Sequence, residues 1–117
     1  MSSEARTFHL TPADAWAASD TDAPLRAPSL DDEGFIHCTT GAAEMVATAN
    51  RHYRDDPRAF VVLTVDLARV TSPVRIEDAR GVYPHIFGPI DRRAILASVP
   101  MPRAADGAFL PFEEDAR

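Results

Sequence analysis

GFIHCTTG, residues 34–41, sets a glycine, two apolar residues, a histidine, a cysteine and two threonines in one run. How its side chains alternate decides what it builds. Neighbours on a strand point to opposite faces, so Phe35, His37 and Thr39 share one face and Cys38 lies on the other. That argues against a thiolate–imidazole pair between His37 and Cys38, and leaves Cys38 as a buried, inert thiol. Gly34 permits a sharp bend. Thr39 or Thr40 can cap a following helix, whose amino end suits an anionic group. The run therefore predicts a strand over 35–38 that forms a pocket wall and then turns into a helix.

Downstream, Ala42, Met45, Val46, Ala49 and Tyr53 recur at helical spacing and predict a helix over 41–54. FVVLTVDL, residues 60–67, is the β-branched run of a central strand. Shorter strands follow at 74–77 and 93–99, and Pro84 and Pro89 bracket four residues suited to an edge strand. Upstream, a strand over 7–10 leads into a helix capped by Thr11, with Pro12 at its first position, Asp14 in its first turn and Trp16 facing inward. Residues 20–33 read as a long polar loop, with Asp31, Asp32 and Glu33 solvated. The order predicts an α+β domain with a mostly antiparallel, highly twisted sheet and two helices in its N-terminal half.

A chain of 117 residues fits one domain over 1–117, with 1–6 and 112–117 expected as flexible tails. Hydrophobic residues at 45% against 26% charged place it with folded, soluble proteins. A net charge of −6 argues against nucleic acid or an anionic membrane as partner, while leaving room for a local basic pocket. Cys38 is the only cysteine, which excludes an intrachain disulfide and fits a reducing compartment. No signal-peptide pattern or membrane-length apolar run is present, so a cytoplasmic location is expected.

Four histidines remain. His52, on the predicted helix, reads as a surface residue outside any cleft. His9, His37 and His85 each sit in or beside a predicted strand among aromatic or β-branched neighbours (FHL, FIHC, YPHIF). A buried imidazole must find a partner for each ring nitrogen, so three such residues in one small fold point to a shared site. No HExxH helix occurs. A three-histidine metal centre would have to be assembled from separate strands, and no metal is expected. The GxGxxG, GxxxxGK[ST] and GxSxG patterns are absent too, which removes the common dinucleotide, triphosphate and hydrolase readings.

FHLTPADAW (8–16), SLDDEGFIHCTTGAAEMVATANRHY (29–53), FVVLTVD (60–66), VRIE (74–77), YPHIFGPI (83–90) and DGAFLP (106–111) together resemble domain-of-unknown-function family 952 across nearly the whole chain. FHLT, GFIHCTTGAAEMVATAN and YPHIF also resemble, in order and approximate spacing, three elements of the ADP-ribosyltransferase superfamily. That resemblance implies a compact split sheet and a cleft for NAD, or a similar small-molecule nucleotide. By it His9 would hold ribose hydroxyls, His37 would line the nicotinamide pocket, and His85 would replace the acid usual at the third position. Thr11, Gly34, Phe35, Thr39, Thr40 and Tyr83 would complete the ligand pocket. The implied activity is ADP-ribosyl transfer or NAD glycohydrolysis. The alternatives are a non-catalytic nucleotide- or metabolite-binding module, a metal-dependent enzyme using the three histidines, and a domain whose histidines only satisfy core hydrogen bonds.

Overall fold

The computed structural model describes residues 6–114. FVVLTVD forms β3 (Phe60–Asp66), the centre of a three-stranded antiparallel sheet between β1 (Arg6–Pro12) and β6 (Ile95–Pro100). Its run of apolar side chains follows from burial on both faces. On one face Phe8, Phe60 and Val62 pack against Met45 and Ala49 of α3 (Ala42–Tyr53) and against Met101, Phe109 and Phe112. On the other, Leu63 and Val65 meet Ile36, Cys38, Ile86 and Ile90.

Ile36 and Ile86 belong to a second antiparallel sheet, ordered β2 (Ile36–His37), β5 (Pro84–Ile86), β4 (Val74–Ile76). The two sheets are stitched by one bridge. Phe8 N–H donates to the Thr39 carbonyl at 2.9 Å, and Thr39 N–H returns a bond to the Phe8 carbonyl at 2.8 Å. Among the described residues the architecture is thus α+β and antiparallel, with three α-helices and two sheets where two helices and one sheet were expected.

Several local expectations need correction. Thr11 caps nothing, because β1 runs on through Thr11 and Pro12, paired with Val61 and Phe60. The next helix, α1 (Ala13–Ala18), starts without a side-chain cap, and Ala13 N–H goes to the Ala59 carbonyl at 2.8 Å. Residues 20–33 are not all loop. Their end forms α2 (Pro28–Glu33), opened by Pro28 and closed by Gly34 at φ 87°, a left-handed value that favours glycine. Neither Thr39 nor Thr40 caps α3; Gly41 holds that position, and the Thr40 hydroxyl donates to the Thr7 hydroxyl at 2.9 Å. The strand at 84–86 is central in its sheet rather than an edge, which Pro84 tolerates as its first residue.

Two residues expected in flexible tails, Arg6 and Phe112, are held in the fold. Arg6 opens β1, and the Phe112 ring is buried edge-on against Phe8 at 5.3 Å; residues 1–5 and 115–117 lie outside the described residues. The segment before Phe112 is tied to α3 by Arg103, whose guanidinium donates to the carbonyls of Tyr53, Arg54, Arg58 and Gly107. Those to Tyr53 and Arg54 reach carbonyls at the carboxyl end of α3, where intrahelical donors run out. Among the described residues no helix is long and apolar enough to cross a membrane.

Candidate functional site

Beyond the single Phe8–Thr39 bridge the backbones of β1 and β2 are not paired further, and the His9 imidazole fills the gap. Its Nδ1 lies 2.8 Å from the His37 carbonyl. A carbonyl can only accept, so Nδ1 carries the proton and Nε2 keeps its lone pair. Burial lowers the His9 pKa below the ordinary imidazole value, outweighing the opposite pull of the bond to His37. His9 is therefore a neutral side chain in the fold. Its Nε2 has no partner among the described residues, and it is not among their sealed, unsatisfied polar atoms.

A cleft of about 790 Å³ opens at this split. That is ample for a small organic ligand. His9, Thr11, His37, Thr39, Tyr83 and His85 all line it, so the three strand histidines share one cavity. His37 and His85 are direct cross-strand partners in β2 and β5, with ring centroids 5.4 Å apart. Directly opposed side chains share a face, which is why both rings stand on the outer side while Ile36 and Ile86 point into the core.

Three of the expected pocket residues fall outside the lining. Gly34 ends α2, and Thr40 holds Thr7. Phe35 stacks behind His85, with centroids 4.2 Å apart and planes at 19°, so it supports the ring without forming the wall. The Cys38 side chain packs in the core, as alternation along the strand requires, although the residue also borders the cleft, and burial pushes its thiol up to about 12.

The cleft also takes in residues that the sequence reading left aside. Glu33, expected in a solvated loop, lines it from the end of α2 and lies 3.1 Å from Nε2 of His37. His52, expected outside, is exposed yet lines the cleft with Thr48 and Arg51 of α3. Residues three or four apart are neighbours on a helix, and that spacing of Thr48, Arg51 and His52 was the available signal. The lining takes Met45, Thr48, Arg51, His52 and Tyr53 along one side of α3 but not its first three residues. Tyr83 is aimed by the turn before β5, where the Asp78 carboxylate accepts from the N–H groups of Val82 and Tyr83, each at 2.9 Å. Those bonds lower the Asp78 pKa.

Among the described residues no group of three His, Cys, Asp or Glu side chains is placed to hold a metal ion. His9 and His37 each have one ring nitrogen engaged, by a carbonyl and a carboxylate. The cleft thus offers a neutral acceptor at His9, an imidazole–carboxylate pair at His37 and Glu33, a ring backed by Phe35 at His85, and a cation at Arg51.

The crystal structure of protein CC0527 from Caulobacter crescentus superposes with a TM-score of 0.71 at 22% identity, covering 90% of this chain and 93% of that one. A double mutant of CC0527 gives the same figures. Its solution NMR structure gives a TM-score of 0.68 at 20% identity, over 88% and 90% of the two chains. At such identity the likeness shows a shared fold. No curated protein matches the chain. The family model described as "Protein of unknown function (DUF952)" matches residues 10–98, and the chain belongs to that family.

Proposed function

We propose that the cleft binds a ribose-bearing small molecule of the nucleotide class, with NAD the first candidate, and that its histidines serve transfer or hydrolysis at the anomeric carbon. The observation that carries this reading is the state of His9. A neutral imidazole with its proton committed to the His37 carbonyl presents an acceptor to the ligand. An acceptor selects a donor such as a ribose hydroxyl and disfavours an anion at the same point.

The remaining groups suit the chemistry at such a centre. His85, stacked on Phe35, offers a ring against which a planar base can lie. Departure of nicotinamide breaks the bond from C1′ to the ring nitrogen, and the electron pair leaves with the nitrogen. Water or another hydroxyl then bonds to the oxocarbenium-like carbon and gives its proton to a nearby base. His37, held by Glu33, is suited to that role. The ADP-ribosyltransferase-like arrangement of a split sheet with histidines at the split is part of the same proposal.

Calorimetry with NAD and ADP-ribose tests binding, and chromatographic detection of released nicotinamide tests turnover. His9→Ala should weaken binding by about 1–3 kcal/mol, the usual cost of removing a partner from a buried polar group. Binding without turnover would leave a sensing module. Absence of binding of either ligand at millimolar concentration would overturn the reading.

A further inference from the structure

We propose that Arg51, braced by Tyr83, forms an anion subsite at the α3 end of the cleft that takes a phosphate monoester. The inference rests on the ribose reading above and narrows its ligand to a phosphorylated nucleoside.

Charge is distributed unevenly around the cavity. At the histidine end stand the Glu33 carboxylate and the lone pair of His9, both of which repel an anion. Two arginines, Arg51 and Arg58, also line the cavity. Arg58 is already neutralised, since its Nε and Nη2 reach both oxygens of Asp56 at 2.7 to 3.2 Å. Arg51 makes no ion pair among the described residues; its Nη2 lies 3.5 Å from the Tyr83 hydroxyl and has no other side-chain or carbonyl acceptor there. A guanidinium carries five donors in a planar fork that matches phosphate oxygens, and most of these remain open.

The carboxyl end of a helix would ordinarily disfavour an anion. Here Arg51 and His52 occupy the last turn, and Arg103 donates to the carbonyls of Tyr53 and Arg54, which offsets that field. Arg51 and His85 are also linked across the cavity. Tyr83 stands two residues before His85, roughly 7 Å along an extended chain, and touches Arg51 at its far end. With a base at His85 and a ribose at His9, the proposed ligand would present its phosphate to Arg51, and the three groups together make one mononucleotide.

The probes are nicotinamide riboside and its 5′-monophosphate, which differ only in the phosphate. Calorimetry should show the monophosphate binding at least tenfold more tightly to the native protein at low salt, with the gap shrinking as salt rises. Arg51→Gln, at an exposed helical position, should bring the two affinities within about twofold while leaving the riboside unchanged. Arg51→Lys should restore part of the preference, since it keeps the charge but loses the fork. Equal affinities in the native protein, or a preference that survives Arg51→Gln, would overturn the subsite and leave the ribose reading standing. Absence of riboside binding together with absence of monophosphate binding would overturn both.

Discussion

The two sheets share an antiparallel plan but differ in how their faces are covered. Between α3 and the second sheet, β3 is buried at six of its seven positions and carries mostly apolar side chains. The shorter second sheet covers only one face. Ile36, Ile86 and Val74 pack inward, while His37, His85 and Arg75 stand in one cross-strand row on the other side. Covering both faces gives stability at the cost of excluding unpaired polar groups, which would lose their water there; the buried Asp66 at the end of β3 is held by the Ala68 N–H and Arg69. One open face lets a strand be anchored by half of its residues and present titratable side chains with the rest. His9 lies at the junction, on the well-packed sheet but turned toward the cleft of the other.

The sharpest way to break this contrast is to cut into each sheet. Leu63→Ala, in the fully buried centre of β3, should cost about 2–5 kcal/mol through lost burial and the cavity left behind. Urea denaturation measures it, and a loss below about 1 kcal/mol would mean that β3 is not the stabilising element. Acid should sharpen the contrast at the junction. The His9 pKa is lowered in the fold, so between that value and the ordinary 6.5 the unfolded chain binds more protons. Its contribution is then fully present above 6.5 and is lost as pH falls through that window. Denaturation midpoints of the native protein and His9→Gln, compared at pH 7 and pH 5, should show a steeper acid loss in the native protein; parallel losses would place the sensitivity elsewhere. Smallest of all should be His85→Ala on the open face, with less than about 1 kcal/mol of stability lost while ligand binding suffers. A larger loss of stability would make that ring a structural support.

The legible parts of this protein are those set by local periodicity. Helical spacing of Met45 and Ala49 located α3, the FVVLTVD run located β3, and alternation placed Cys38 in the core behind His37. The hidden parts hung on which segment lies beside which. Pro84 looked like an edge because a strand's place in a sheet depends on its partners, here Ile76 on one side and Cys38, through its N–H, on the other. Glu33 is solvent-exposed as expected, but nothing within DDE indicates that His37 will fold back beside it.

The sequence alone determined α3 and β3, the orientation of side chains along the strands, and the family to which the chain belongs, since each depends on neighbours a few residues apart or on matched motifs. Tertiary structure decided the split between the sheets, the contact of His9 with a carbonyl 28 residues away, and which side of α3 walls the cleft. Those outcomes come from strand pairing and core packing, which bring distant segments together to bury the apolar faces on either side of β3. The polar groups left at the seam form the candidate site.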